Sequence, residues 1–456
     1  MNVSELVKLG EKSLTMFDMY ISERHITSPN RVYIKYTVNE LEILETGSKY
    51  QGNTEIIQKP DFSKIIYDFI KEMIEPTPEF QKLNESIAKK YKKNINIISP
   101  SSNEIAQSAY WLESFIRRLI VEKLEGSLLE DSIIEYASLF KSELDLSSLE
   151  YKYVEYLDAV YLEDDSIRIN DTVLIRKTQK SDLNYTRDIF FEIPGSGFPT
   201  IPLSVLEFNI IAKNEKECYD YINRIFNSLR LYKLGSVHSI KSHSTKKTII
   251  WPGSQVMRGF NNIYASSNKY SIKATESDIF IKFINTLEQK LNFDPENKDY
   301  RALNISIERY ISALLESVDV DRKLMTAVMG LESLYTLDKE RGENTFKLAI
   351  RVAKLLGHLT FDSIKVRELT GQAYNFRNTV VHGAYIPPLM RENMNEIFPI
   401  IINYLRVSLV IFLLNPDVGK YKMIEMIDRS LINDSQNIKL KEILDTHIGE
   451  FMPLLI

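Results

Sequence analysis

Hydrophobic positions recur at helical spacing through most of the first third of this chain. Apolar residues in segments 61–75 and 103–125 follow the three- to four-residue period of amphipathic helices. Segment 32–38 differs, because its apolar and polar residues alternate as in a half-buried β-strand. The pattern predicts a mainly helical N-terminal region, residues 1–150, in which no motif indicates catalysis.

A change to strand patterns follows the N-terminal region. Apolar residues flank Asn170-Asp171, as in a β-hairpin, and further β-like runs cover 188–193 and 205–211. A helical run at 214–231 comes next. We therefore predict an α+β middle domain, residues 151–290, as a candidate for sensing or for contacting RNA.

The last part of the chain is patterned almost wholly as helix. Five apolar runs of helical period start near residue 295, and the fourth of them is 362–382. Short connections between such helices predict an antiparallel bundle, residues 295–420, followed by a helical tail, residues 421–456. The predicted fold class is thus α+β and multidomain, with a C-terminal all-α bundle.

Composition indicates a water-soluble protein. The 456 residues are 44% hydrophobic and 26% charged, and the net charge of −5 argues against a protein that coats nucleic acid indiscriminately. A single cysteine, Cys218, fits a reducing compartment. The apolar segment 398–414 is short for a membrane span and contains Asn403 and Arg406. We predict a buried core helix there and a cytoplasmic protein.

One segment of the middle domain is unusually basic. From 221 to 275 there is no Asp or Glu, where the average content would give about seven, and the segment carries nine Lys or Arg residues. Interleaved aromatic residues make it a candidate RNA-contacting surface, with phosphates bound by Lys241, Lys246, Lys247 and Arg258. Alternatively, these bases form a solvated face that balances the acidic stretch before them.

A short polar motif ends the fourth helix of the predicted bundle. Arg377, Asn378 and His382 lie within six residues, and Gly383 follows them as a helix stop signal. The step from Arg377 to His382 leaves their side chains roughly 140° apart on an ideal helix. They can meet at one phosphate only if the last turn is distorted or if a second copy of the motif faces the first.

These residue types suit metal-free cleavage of RNA. His can carry proton transfers near neutral pH, and the planar guanidinium of Arg binds phosphate through two parallel hydrogen bonds. At a helix C-terminus, His382 lies by the negative end of the helix dipole, which favours the imidazolium form. His382 would then act as a proton donor or a phosphate binder at least as readily as a base. Asn378 could orient the phosphate or cap the turn. One Arg and one His make half a site, and two facing copies would complete it.

The motif resembles the Arg-x4-His signature, with Asn after the Arg, of the HEPN family of helical ribonucleases, and most closely its ApeA-like branch. Two neighbouring helices are similar to that branch as well. One contains Leu331-Glu332-Ser333-Leu334 and the other contains Leu348-Ala349-Ile350-Arg351. The likeness covers about residues 298–415.

The resemblance implies an endoribonuclease that uses no metal or cofactor, cuts RNA by attack of the 2′-hydroxyl, and shares its site across a homodimer. It also implies a bacterial role in anti-phage defence or abortive infection. The substrate would be an RNA such as tRNA or another host RNA, and a phage or host trigger would act on the N-terminal regions. Six residues are assigned by it: catalytic Arg377, Asn378 and His382, with Glu332, Tyr374 and Gly383 in support.

A non-catalytic protein is the competing interpretation. Some bundles of this family are binding modules, and a buried Arg-Asn-His cluster could simply cap a helix end and hold a dimer together. The chain would then be a dimeric RNA-binding or regulatory module, and its basic segment, 221–275, would matter more than His382.

Overall fold

The structure is a computed structural model of the chain. It describes residues 2–455 apart from three longer segments, 93–102, 189–200 and 245–269, and the short gaps 29, 130, 147, 158–159, 184, 295–296, 298–299, 316–318, 338–339, 341 and 384. The described chain is mainly helical, with several β-strands that pair mostly antiparallel. The predicted class, a mixed α+β protein with mainly helical content, is confirmed.

Helices account for most of the described residues, and a π-helical turn, Ile70–Ile74, continues the second of them. The α-helices are α1 Val3–Glu23, α2 Ser63–Phe69, α3 Pro78–Lys90, α4 Glu104–Leu124, α5 Ser132–Asp145, α6 Lys180–Leu183, α7 Glu215–Tyr232, α8 Ser277–Lys290, α9 Arg301–Leu315, α10 Val320–Tyr335, α11 Asn344–Gly357, α12 Ser363–Val381, α13 Pro388–Leu414, α14 Gly419–Ser430, α15 Asp434–Ile448 and α16 Met452–Leu455.

Strands occupy the hairpin near the N-terminus and much of the middle of the chain. They are β1 Asn30–Leu44, β2 Gly47–Pro60, β3 Leu149–Leu157, β4 Val160–Leu162, β5 Ser166–Arg168, β6 Val173–Lys177, β7 Tyr185–Asp188, β8 Ser204–Ala212, β9 Ser239–Ser244 and β10 Tyr270–Ile272.

Contacts divide the chain into two compact units, and both draw on the middle region 151–290. The four ranges drawn from the sequence stay predictions. The first unit comprises Met1–Tyr156, Asp171–Asp220 and Lys241–Arg258, and the second comprises Leu157–Asn170, Tyr221–Ile240 and Gly259–Ile456.

The first unit combines packed helices with antiparallel strands. Helix α4 packs against α1 and α3 and buries Trp111 completely. Strands β1 and β2 pair antiparallel, and β7 pairs with the other edge of β1. A second sheet includes the order β6–β8–β3, in which β6 and β8 are antiparallel. The sequence indicated only the first hairpin strand, because β2 is largely polar and has no fully buried residue to mark its inner face.

The C-terminal bundle of the second unit is arranged around α10. This helix packs against α9, α11, α12 and α13, and its apolar positions are buried. Gly330 permits the close approach of two of these neighbours. A Cβ atom at Gly330 would lie 2.7 Å from Leu405 Cδ2 on α13 and 3.3 Å from Arg309 Cβ on α9. The absence of a side chain at this position therefore sets how closely three helices meet.

A buried arginine satisfies the end of helix α7 within the second unit. The last four carbonyls of an α-helix have no partner inside the helix, and each is costly to bury unpaired. Arg406 of α13 is 4% exposed, and its Nη1 donates to the carbonyls of Leu231 and Tyr232 at 2.9 and 3.0 Å. Burial lowers the pKa of Arg406. The negative end of the helix dipole favours the positive charge at this position.

Two tyrosines complete the same helix end. The hydroxyl of Tyr310 on α9 donates to the carbonyl of Arg230 at 2.7 Å, and that of Tyr270 on β10 donates to the carbonyl of Leu229 at 3.1 Å. All four terminal carbonyls of α7 are therefore paired by side chains from β10, α9 and α13. These hydrogen bonds fix α7 against the bundle.

A second buried arginine joins α11 to its surroundings. Arg351 is 4% exposed and donates to the carboxylates of Glu340 and Asp428 and to the backbone carbonyl of Tyr335, each by a bond of 2.8 Å. The hydrogen bond from Arg351 lowers the pKa of Glu340 to about 2. Arg351 belongs to one of the segments that resemble the ApeA-like branch, and in this chain its contacts are structural.

Helix α13 is a core helix. Within the described residues it alone is long and apolar enough to cross a membrane, with a mean hydropathy of 2.2 over its most apolar window. Inside the protein, 78% of that window is buried, as expected for the core of a soluble protein. The central Arg406, which argued against a span, faces backbone carbonyls of α7.

Replacing Gly330 by alanine should destabilise the protein. The added Cβ would force Leu405 or a helix to shift, so we expect the free energy of unfolding to fall by about 1–3 kcal/mol. Urea denaturation measures the change. Gly371→Ala, on α12, is the matched control, because the nearest atom to a Cβ there is Ala349 Cβ of α11, 4.0 Å away. It should raise stability by about 0.5–1 kcal/mol, and equal effects of the two variants would contradict the close packing at Gly330.

Tyr310→Phe should reveal the cost of one unpaired carbonyl. The substitution removes only the hydroxyl that satisfies Arg230 and keeps the buried ring. We expect the free energy of unfolding to fall by about 1–3 kcal/mol in chemical denaturation. Tyr385→Phe, at a side chain that is 82% exposed, should change it by less than about 0.5 kcal/mol. Two equal losses would show that the Tyr310 hydroxyl contributes nothing to α7.

Candidate active site

The polar motif ends helix α12 in a regular way. The His382 N–H donates to the carbonyl of Asn378 at 3.0 Å, as within an uninterrupted α-helix, and His382 is the capping residue. Gly383 follows in the left-handed region with φ of +67°, and its N–H donates to the carbonyl of Val380 at 3.0 Å. The last turn is regular, so the helix itself does not turn His382 towards Arg377.

Arg377 is held by side chains of α10 and α12. Its Nη2 lies 3.3 Å from Oε2 of Glu332, and its Nη1 donates to Oδ1 of Asn378 at 3.1 Å. Its guanidinium carbon lies 5.6 Å from the ring centre of Tyr374. The Arg377 side chain is 23% exposed, and its buried Nε has no hydrogen-bond partner in the described part of the chain. This N–H is therefore left without an acceptor inside the described protein, which is costly for a buried donor.

Tyr374 lies beneath the same guanidinium. The residue is 6% exposed, and burial raises the pKa of its phenol, with the negative charge of Glu332 raising it further. The phenol therefore stays protonated at neutral pH. It can orient Arg377 and donate a hydrogen bond, but it cannot act as a base there.

His382 faces solvent at the end of the motif. Its imidazole is exposed and makes no hydrogen bond or ion pair within the described residues. Apolar residues that flank it in the sequence are exposed too: Val381 by 49%, Tyr385 by 82% and Leu389 by 68%. The structure thus gathers four of the six predicted site residues around Arg377 and leaves His382 and Gly383 on the surface. Sequence reasoning missed the exposed apolar residues, because single apolar positions beside a turn carry no period.

Several basic side chains of segment 221–275 already have ion-pair or hydrogen-bond partners within the second unit. Arg224 and Lys233 pair with carboxylates at 2.7 and 2.6 Å, and Arg230 donates to a backbone carbonyl at 2.9 Å. Two of its aromatic residues, Tyr232 and Tyr270, are buried. These bases and rings stabilise the protein and present no open surface to RNA.

The four candidate RNA-binding residues of that segment are not placed by the structure. Lys246, Lys247 and Arg258 lie outside the described residues, and Lys241 lies in β9 with its side chain outside them. Their binding of RNA stays a prediction. Within the described chain, no group of three or more His, Cys, Asp or Glu side chains is arranged to hold a metal ion.

No protein family, curated protein or solved structure matches this chain. The function is therefore argued from the geometry around Arg377 and His382.

Glu332 and Arg377 should be energetically coupled. Each single substitution to alanine leaves a half-buried charge without its partner, so the double variant should lose less stability than the sum of the single losses. We expect a coupling of about 1 kcal/mol in a double-mutant cycle measured by urea denaturation. Glu332→Ala combined with Arg367→Ala, an exposed arginine farther along α12, should be additive. Additivity in both cycles would show that Glu332 does not hold Arg377.

Proposed function

We propose that the chain is a metal-independent endoribonuclease of the HEPN type, whose active site is completed by a second copy of the chain. The observation that carries the proposal is the division of the motif. Arg377 is half-buried and oriented by Glu332, Asn378 and Tyr374, whereas His382 is exposed and makes no side-chain hydrogen bond or ion pair within the described residues. An arginine positioned to bind phosphate and an exposed imidazole that can transfer protons are the two halves of a phosphoryl-transfer site.

A facing copy resolves the geometry of the motif. Arg377 and His382 lie on different sides of a helix whose last turn is regular, so one chain does not direct both at one phosphate. A two-fold arrangement would place the His382 of each copy near the Arg377 of the other. Val381, Tyr385 and Leu389, which flank His382 in the sequence, have exposed apolar side chains, and these favour burial against a second copy.

The proposed reaction needs only these groups. The 2′-oxygen forms a bond to phosphorus, the bond from phosphorus to the 5′-oxygen breaks, and a cyclic phosphate remains. One imidazole accepts the proton of the 2′-hydroxyl, and either the imidazolium so formed or that of the second copy donates a proton to the leaving 5′-oxygen, so one His382 suffices for slower turnover. Arg377 stabilises the negative charge on the phosphorane oxygens.

The biological setting follows the resemblance. We propose a cytoplasmic bacterial enzyme for anti-phage defence or abortive infection, with a host RNA such as tRNA as substrate and a trigger acting on the N-terminal regions. Support for the setting comes from the motif and its neighbouring helices alone. The competing proposal, a dimeric RNA-binding or regulatory module, is favoured by the absence of Asp and Glu from 221–275.

Substitution of either motif residue should abolish cleavage. We expect His382→Ala and Arg377→Ala to slow cleavage of total RNA by about 100-fold or more, with EDTA present throughout. RNA gels measure the loss, and induced expression in a bacterial host should arrest growth with the wild type only. His447→Ala, also an exposed histidine in the last turn of a helix, and Arg367→Ala, also on α12, are matched controls that should cleave normally.

Mixing the two inactive variants tests whether the site is shared. A mixed dimer of His382→Ala and Arg377→Ala retains one Arg377 and one His382 that face each other, so part of the activity should return. No recovery on mixing would place the site within one chain. Cleavage that survives both single substitutions would exclude the site altogether. If RNA stays intact with the wild type even in phage-infected cells, the binding module becomes the better proposal.

A further inference from the structure

The hairpin of β1 and β2 leaves one long sheet edge open in the first unit. Within the described residues the strand order is β2–β1–β7, so β1 has a neighbouring strand on each side, whereas β2 has one only. Strand β2 runs for 14 residues, and strands in globular proteins are usually about five to six residues long. An edge strand presents N–H and C=O groups that can pair with another strand. The outer side of β2 is therefore a candidate interaction surface.

The turn of the hairpin determines which backbone groups of β2 point outwards. Hydrogen-bonded and non-hydrogen-bonded pairs alternate along an antiparallel ladder. Leu44 and Gly47 flank a two-residue turn and form the first pair of the ladder, and the pair that closes such a turn is hydrogen-bonded. Odd-numbered residues of β2 therefore bond to β1, and even-numbered residues direct their backbone groups to the open edge. Gly52 lies near the middle of this outward-facing set.

Two opposite charges occupy symmetric positions about Gly52. Lys49 precedes this glycine by three residues, and Glu55 follows it by three. Their side chains are 75% and 62% exposed. If a second β2 pairs antiparallel with the first about a two-fold axis at Gly52, Lys49 of each copy faces Glu55 of the other. These pairs are of the non-hydrogen-bonded kind, in which the side chains lie closest. Both contacts of the symmetric pair then join opposite charges.

Strand β1 extends the same complementarity. Within one chain, Nζ of Lys35 lies 3.8 Å from Oε2 of Glu55, and Nζ of Lys49 lies 3.8 Å from Oε2 of Glu42. Each of these pairs is directly opposed in the ladder of β1 and β2. Pairing about Gly52 would join them into one row across four strands: Lys35, Glu55, then Lys49 and Glu42 of the second copy. The charges alternate in sign along the row, and the two-fold axis produces the row twice.

Exposed apolar side chains on the other face of β2 favour the same register. Even-numbered residues of β2 share the face of Val38, which packs into an apolar cluster. On this face Ile56 is 69% exposed and Tyr50 is 39% exposed. In a pair centred on Gly52, Tyr50 of one copy lies diagonally opposite Ile56 of the other. Aromatic side chains reach such diagonal neighbours, so both apolar groups would lose exposure to water.

We propose that β2 pairs with β2 of a second copy of the chain, antiparallel and centred on Gly52. The two three-stranded sheets would then form one continuous six-stranded sheet. This contact is separate from the two-fold contact proposed for the bundle, and it does not depend on RNA cleavage. A chain that has two different two-fold contacts links dimers into tetramers or longer assemblies.

Charge reversal in the full-length chain tests the pairing. Lys49→Glu brings two Glu side chains face to face at each contact, and Glu55→Lys brings two Lys side chains together. We expect each variant to weaken association through this edge by about tenfold or more, so that the assembled mass in sedimentation equilibrium falls at least by half. Lys64→Glu, at an exposed position on α2 outside the sheet, makes the same change in charge as Lys49→Glu and should keep the wild-type mass.

Mixing the two single variants gives the sharper comparison. In a mixed pair, position 49 of the Lys49→Glu chain faces position 55 of the Glu55→Lys chain, so the charges there are again opposite. The second contact of the pair keeps the native Lys and Glu. The wild-type mass should therefore return on mixing, although neither variant regains it alone. Recovery also shows that both variants are folded.

Three outcomes would overturn the proposal. They are a wild-type mass in both single variants, a loss of mass that mixing does not reverse or that Lys64→Glu reproduces, and a wild-type chain that is monomeric. The result is distinguishable from a failure of the ribonuclease proposal. If only the bundle contact fails, the wild type is a dimer that the single variants split into monomers. If only the sheet contact fails, the wild type and all variants have the same mass.

Discussion

The second unit depends most on the pairing of the buried carbonyls at the end of α7. Four carbonyls there would be left without partners by the helix itself, and burial would make each of them expensive. Arg406 and two tyrosines satisfy all four. Arg406 makes no ion pair with a carboxylate among the described residues, and the end of the helix supplies the partial negative charge that favours its guanidinium. Helix α13 is apolar on most sides, so hydrophobic packing alone leaves its rotation about its own axis open. The hydrogen bonds of Arg406 to α7 specify that rotation.

The packing around α10 determines the geometry of the candidate site. Gly330 lets α9 and α13 approach one side of the helix, and α12 packs along it as well. Two residues later on the same helix, Glu332 meets Arg377 at 3.3 Å. The residues that orient the motif arginine and the residues that close the core therefore share one helix. A change in the packing of α10 would therefore move Glu332 and alter its contact with the guanidinium of Arg377.

The motif combines an arginine held in place with an exposed histidine. Arg377 is oriented by Glu332, Asn378 and Tyr374, whereas the imidazole of His382 is exposed and has no hydrogen-bond or ion-pair partner within the described residues. Arg351, by contrast, is buried and donates to two carboxylates and a backbone carbonyl. We interpret the exposed imidazole as a group that serves binding rather than the core.

The sequence by itself determined the elements whose signals are local. Apolar periodicity marked the bundle helices, and Gly383 marked the end of α12, because a residue free to adopt positive φ is needed there. Tertiary structure alone decided which side chains meet. The partner of Arg377 lies 45 residues earlier in the chain, and the carbonyls bound by Arg406 lie about 175 residues earlier. No local pattern encodes such a pairing, because it depends on how the helices pack.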